Sequence, residues 1–421
     1  MTHLVDFAAP AVRHPKAAPD DRLRDLLAGQ PTWRVVGDQV AVPCVFMRGG
    51  TSRGAFFRAS DMPSDHALRE RIIAAIYGSP DRRQIDGLGG ADPLTSKVAI
   101  VGPSNRADAD VDFTFGQVRI TEPKVDFDGN CGNMSAAVGP FAIDEGMVPA
   151  QEPRTRVRIH LTNTDKVLEA DVPVREGRAA VEGDSEIPGV PGRGAAILLD
   201  LAETGGTLGR GVLPTGSVCD VLMLRDGSRL AATIVDAGNP CVFVNAAEVG
   251  APFGRAVLGL VPETFARLEE IRGEAAVRVG LVTRAADAAA TTPAVPKIYW
   301  VGPPADYEAV NGRAVSRDKM SFAGAGLSMA RPHQAYAVTA AVATAVAAML
   351  PGSLVHAVCD ARAVETGLIR IGHPSGVLGI EAAVRMGTDG IPSITRVAVE
   401  RTARRIMDGV VYVPLHVLQP R

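Results

Sequence analysis

Residues 97–103 read KVAIVGP, and residues 297–303 read KIYWVGP, the same pattern after a shift of 200 residues (297 − 97). Each copy is a lysine, four apolar residues and a Gly-Pro break, which is how a strand buried on both faces reads. At the same shift Ser135-Ala136-Ala137-Val138 falls on Ala335-Tyr336-Ala337-Val338, in both cases within an apolar stretch of helical length. Two elements in one register point to a duplicated unit. Each copy also follows a strand–turn–strand segment, VFMRGGTSRGAFF at 45–57 and IVDAGNPCVFV at 234–244.

The expected architecture is therefore α+β, with two similar lobes at residues 34–212 and 213–421. Each lobe wraps a sheet around one central helix, so NMSAAVGPFAIDEG (133–146) and AYAVTAAVATAVAAML (335–350) need no polar face. Further short strands are predicted at 42–47, 54–59, 157–162, 232–237, 241–246 and 409–414, and a helix at 65–78. Residues 1–33 read as an N-terminal extension, with a short helix capped by Asp20 or Asp21 and ended by Gly29.

Composition narrows the function. The 421 residues are 46% hydrophobic and 22% charged with a net charge of −3, so there is no basic stripe for nucleic acid. Cys44, Cys131, Cys219, Cys241 and Cys359 are scattered and lack metal or disulfide spacing, as expected in a reducing compartment. The first thirty residues hold no continuous apolar segment of the kind a signal peptide needs, and 335–350 is too short to span a membrane. A cytoplasmic protein is expected, with no membrane, nucleic-acid or metal partner; a homodimer is an open guess.

A helix enclosed by a sheet must still begin somewhere, with unpaired N–H groups and a partial positive charge. Two lobes related by a pseudo-twofold can aim both helix starts into one cleft, which then suits carboxylates. The first start offers Cys131, Gly132, Asn133 and Met134; the second is expected at Ser328–His333, bringing Met329 and His333, with Pro332 in the first helical position. Two roles stay open for Cys131. It is a small buried residue beside a Gly/Asn turn, or a thiol that exchanges protons beside a helix start. Lys97, at the buried end of its strand, is a candidate base. Lys297 holds the equivalent place, and the repeat does not choose between them.

The loop RGGTSRG (48–54) brings Arg48 for a carboxylate, Gly49 and Gly50 for close approach of the backbone to a ligand, and the hydroxyls of Thr51 and Ser52. It also matches G-x-S-x-G, but a nucleophile elbow needs a helix after the serine, and GAFFRA reads as strand. Neither a Walker loop nor a Rossmann fingerprint is present. His333, His373 and Ser375 (in GHPSG) and Asn239 (in AGNPC) are further candidates for holding substrate, beside structural roles for each.

Together MRGGTSRGAFF, DPLTSKVAIVGPS, CGNMSAAVGPFAI, LPTG, DAGNPCVFV, MARPHQAYAVTAAVA, GHPSG and VERTARRIMDGVVYVP resemble the PrpF family, from about residue 40 to the C-terminus. That family includes aconitate isomerase-like proteins, 4-oxalomesaconate tautomerase and methylitaconate isomerase. The resemblance implies a diaminopimelate epimerase-like fold, a cofactor-free site between the lobes, and a lysine and cysteine that fall on Lys97 and Cys131. It implies a 1,3-proton shift in a small unsaturated di- or tricarboxylate, with Lys97 as base and Cys131 as acid or positioning group. Amino-acid epimerases of this fold carry a second cysteine at the other helix start; GLSMARPHQ has none, which disfavours a thiol-pair epimerase. A non-catalytic accessory protein that binds such acids is the other alternative.

Overall fold

The computed structural model describes residues 26–388 and 390–419. The first half contributes β1 (Gln39–Gly49), β2 (Ser52–Arg58), helix α1 (His66–Ile76), β3 (Lys97–Pro103) and β4 (Val111–Val118). Helix α2 (Gly132–Asp144) follows, then β5 (Arg154–Leu161), β6 (Lys166–Arg175) and β7 (Ile197–Asp200). Neighbouring strands run antiparallel, parallel, antiparallel, parallel, antiparallel, antiparallel in that order.

The second half repeats the scheme. Its strands are β8 (Arg229–Ala237), β9 (Asn239–Asn245), β10 (Lys297–Gly302), β11 (Phe322–Ser328), β12 (Leu368–His373), β13 (Gly376–Met386) and β14 (Pro392–Arg401). Helix α3 (Pro262–Arg278) lies between β9 and β10, and α4 (Val338–Ala348) between β11 and β12. The strand pairings follow the same order of directions as in the first half. β7 and β14 then pair with each other, joining the two sheets edge to edge. The last strand, β15 (Ala403–Pro414), returns across that seam to lie along β1.

Parity along β3 and β10 explains the sequence repeat. Ala99 and Val101 pack in the inner core with α2, while Val98 and Ile100 face an outer core with α1. Tyr299 and Val301 likewise face the inner core, and Ile298 and Trp300 an outer core with α3. Both strands are sandwiched, which is why neither alternates polar with apolar. The inner core is one cluster through both halves, and α4 is buried at every residue. Each buried valine there contributes on the order of 1.5–3 kcal/mol. Period two also sets the lysines, since 97 shares its face with 99 and 101, and 297 with 299 and 301. Both side chains therefore start on the central-helix side.

One expectation changes. Helix α4 starts at Val338, not at Ser328–His333. Met329 and Ala330 take left-handed backbone conformations (φ 49° and 55°), folding the chain back so that Ser328 pairs with Arg331 and Leu327 with Pro332. Pro332 is thus in a short strand, and the helix caps, Cys131 and Ala337, are 206 residues apart (337 − 131). The 200-residue match at Ser135 and Ala335 is a match of composition, not of structural position. The described part of the N-terminal extension has the helix end expected at Gly29. Leu26–Ala28 are helical and turn at Gly29, and Leu26, Leu27 and Trp33 pack into the outer core of the first half. The capping expected from Asp20 or Asp21 lies outside the described residues.

Candidate active site

The starts of α2 and α4 meet. A Cβ on Gly132 would lie 2.6 Å from Val338 Cγ1, so only glycine lets the two helix ends come this near. Neither cap, Cys131 or Ala337, bonds the first-turn N–H groups with its side chain, which leaves both partial positive ends open. Between them is a narrow cavity of about 30 Å³. The first half lines it with Ser52, Lys97, Gln117, Cys131 and Asn133, and the second with Lys297, Ser328, Met329, His333 and Thr339. Among the described residues no aspartate or glutamate lines it, although the buried Asp126 is near enough to act on the charge of Lys297.

Lys97 is 6% exposed and donates from Nζ to Gln117 Oε1 at 2.6 Å, with Nζ 5.2 Å from the centre of the Phe115 ring. Gln117 is opposite Lys97 in the β3–β4 ladder. Its Nε2 donates to the carbonyls of Pro93 and Ser96, which fixes Oε1 toward the lysine. Lys297 donates to the Ala294 carbonyl at 3.2 Å. Burial lowers the pKa of its ammonium and the charge of Lys97 pushes the same way, while Cys241, Cys131 and the buried Asp126 pull against them. Ser52 is buried, and its hydroxyl has no hydrogen-bond partner among the described residues.

The glycines of the 48–54 loop serve the helix start. A Cβ on Gly49 would lie 3.2 Å from the Asn133 carbonyl carbon, and one on Gly50 (φ +48°) 2.9 Å from Asn133 Cγ. Asn133 clamps the loop from the other side: its Oδ1 accepts from the Thr51 N–H, and its Nδ2 donates to Thr51 Oγ1. Arg48 braces the turn, donating to the carbonyls of Gly50 and Thr402, and does not line the cavity. A strand, not a helix, follows Ser52, as the rejection of the hydrolase elbow required.

Other candidates fall outside the cavity. Met134 is in the inner core. Asn239 ties the halves together: its Nδ2 donates to the Asn130 carbonyl and to Thr339 Oγ1, and its Oδ1 accepts from the Asn130 N–H. It thereby holds the residue just before Cys131. Ser375 donates to the Gln334 carbonyl and, with Thr51, borders a wider cleft of about 880 Å³. His373 lines neither space, and its Nε2 has no hydrogen-bond partner among the described residues. Residues that sequence reasoning did not assign to the site are Gln117 and Thr339. Among the described residues no group of three or more His, Cys, Asp or Glu is placed to hold a metal. Among the described residues no helix is long and apolar enough to cross a membrane.

A model of the PrpF protein family matches residues 39–414. The chain belongs to the PrpF family. It is 47% identical over 384 residues to 3-methylitaconate isomerase of Eubacterium barkeri, covering 90% of this chain and 98% of that one. It is 40% identical to (4E)-oxalomesaconate Delta-isomerase of Novosphingobium sp. (strain KA1), covering 89% and 98%. The crystal structure of methylitaconate-delta-isomerase superposes with a TM-score of 0.75 at 46% identity, covering 91% and 98%. A hydroxyproline epimerase from Agrobacterium vitis gives 0.52 at 12% identity, covering 89% and 93%, a likeness of fold alone. The fold is epimerase-like, and this PrpF-family chain is an isomerase.

The histidines of the isomerase give it a pH signature. Nδ1 of His333 accepts from the Ala335 N–H and Nδ1 of His373 from the Ser375 N–H, so any ring hydrogen in the neutral form is on Nε2. Burial pushes both pKa values down to about 3, reinforced by Lys97 and Lys297 at His333 and by Arg401 at His373. Unfolded, each titrates near ~6.5. Between these values the unfolded chain binds more protons, so stability is full above the upper one and falls with acid. The loss is about 2 kcal/mol per histidine on going from pH 7 to 5, at ~1.4 kcal/mol per unit once the pH is below the unfolded value. Urea melts at pH 7 and pH 5 should record it, and a His333→Asn variant should lose less. Equal stability at the two pH values in both proteins would rule it out.

Proposed function

We propose that this isomerase moves a carbon–carbon double bond in a small unsaturated di- or tricarboxylate, such as aconitate or 4-oxalomesaconate, by a 1,3-proton shift without a cofactor. The observation that carries this reading is the charge of the cavity: two lysines and two uncapped helix starts, with no carboxylate in the lining. Such a site favours an anion, and favours it more as dienolate charge develops on the substrate. The related proteins named for methylitaconate and oxalomesaconate support the same substrate class.

In this reaction Lys97 removes the proton next to the activated double bond. The ammonium it becomes is met by Gln117 Oε1 and the Phe115 face. Cys131, at the start of α2, is the acid or the group that positions the substrate. A cavity of about 30 Å³ holds a water, not a tricarboxylate, so substrate enters a more open form than this one. Two-thiol epimerisation is not favoured, because the second half brings Lys297, Ser328 and His333 to the cavity and no cysteine.

The test is proton NMR in D₂O with 3-methylitaconate, 2-methylaconitate, cis- and trans-aconitate and 4-oxalomesaconate. At least one acid should exchange an allylic proton and move its double bond. Silence from the whole panel would sink the reaction and favour an accessory protein that binds such acids. The same assay on Cys131→Ser separates the roles of the thiol. An acid leaves exchange intact but slows migration, a positioning group slows both, and full activity reduces the thiol to packing.

A further inference from the structure

Two buried side chains of the second half carry donors that no group accepts. Arg401, 4% exposed, ends β14, and His373, 1% exposed, ends β12. Arg401 donates from Nη1 to the Glu400 carbonyl; among the described residues it is in no ion pair and its Nε has no partner. Burial pulls its pKa down to about 10, with Glu400 pulling against it, so it is a cation at neutral pH. His373 accepts the Ser375 N–H at Nδ1, and its Nε2 has no partner among the described residues. The arginine is near enough to act on the charge of the histidine.

The internal repeat shows that packing asks for neither group. The inner face of β5 reads Val157, Ile159, Leu161, and that of β12 reads Ile369, Ile371, His373. At the seam Leu199 pairs with Val399, so the halves are related about that pair, and Leu201 stands where Arg401 does. One half fills the two places with leucines of the inner core; the other puts a cation and a neutral donor there. A buried charge without a counter-charge is costly, and so is a buried donor without an acceptor. Both groups adjoin the active site. A Cβ on Gly50 would lie 2.9 Å from Asn133 Cγ and 3.2 Å from Arg401 Cδ, so the arginine reaches the turn that Asn133 clamps at the start of α2. His333 of the cavity acts on the charge of His373.

We propose that Arg401 and His373 form a carboxylate subsite near the start of α2, holding one carboxylate of the substrate while its reacting carbons lie by Lys97 and Cys131. This rests on the reading of the substrate as a small di- or tricarboxylate. Arg401 supplies the charge, and its Nε–H and the Nε2–H of His373 donate to the carboxylate oxygens. Neither side chain lines the narrow cavity, so the subsite fills in the more open form that admits substrate. The ligand then balances a charge that no protein group balances.

The experiment is isothermal titration with succinate and tricarballylate, saturated acids in which no double bond can move, beside urea melts of the protein without ligand. Arg401→Leu installs the residue of the other half. It should weaken binding by roughly 10²-fold, as loss of one partner of a buried charge pair does. It should melt at the wild-type urea concentration or above, because leucine replaces an uncompensated charge. Arg401→Lys keeps the charge and should bind within about tenfold of the wild type. His373→Leu removes one neutral donor and should cost about tenfold.

Wild-type affinity in either leucine variant would overturn the proposal, as would a wild type that binds neither acid. An Arg401→Leu protein that melts well below the wild type would overturn it too, assigning the arginine to packing. So would an Arg401→Lys protein that binds as weakly as the leucine variant, since the charge would then count for nothing. If both acids bind through Arg401 but no acid of the NMR panel moves its double bond, the subsite stands and the proposed reaction fails.

Discussion

Lys97→Ala is expected to lower turnover by roughly 10³-fold and to abolish deuterium exchange into substrate, the loss that follows removal of a proton-transfer group. The fold should survive. The main chain of residue 97 keeps its pairing with Gly54 and Gln117 whatever the side chain, and its carbonyl still accepts from the Tyr77 hydroxyl. What is lost is the amine beside Gln117 Oε1 and the Phe115 ring, with a void in its place. Lys97→Met fills that void without supplying a base. It should match the alanine variant in activity while recovering stability, which separates chemistry from packing. Near-wild-type turnover in either variant would remove Lys97 from the reaction.

How far the sequence reveals this site depends on what kind of contact builds each part. Lys97, Cys131, Gly132 and Asn133 were legible because each sits at a boundary that local chemistry marks: a lysine before an apolar run, a cysteine and Gly-Asn before a buried helix. Gln117 was not, because its meeting with Lys97 depends on the β3–β4 register, and the loop between those strands does not number the pairing. The start of α4 was misplaced because Met329 and Ala330 adopt left-handed conformations that neither residue type advertises. Asn239 was picked out, with a capping and a ligand role both open. Its bonds to Asn130, 109 residues away in sequence, make it a clamp between the halves, a role that exists only after folding. The glycines of the 48–54 loop were read as sites where a ligand approaches the backbone; the close approach in the structure is that of Asn133.

Gly54→Ala is expected to be the most damaging small substitution in that loop, because its neighbour is a backbone that cannot yield. Gly54 pairs with Lys97 across the parallel β2–β3 ladder. A Cβ there would overlap the Lys97 carbonyl oxygen, with the carbonyl carbon 2.7 Å away and the Tyr77 hydroxyl at 3.0 Å. That hydroxyl donates to the Lys97 carbonyl and accepts from the Ala55 N–H, so both strands are already tied at this point. Relief requires β2 and β3 to separate, at about 3 kcal/mol or more for overpacking with no flexible partner. Separation also moves the Lys97 main chain, and a shift of ~1 Å at a reacting group costs roughly 10² in rate. Urea melts and kcat/KM should therefore fall together. Gly379→Ala is the control: a Cβ at that strand position meets nothing within 4 Å and should leave both measurements unchanged. If Gly54→Ala melts and turns over like the parent, Lys97 does not depend on the tight β2–β3 pairing, and glycine is dispensable at that position.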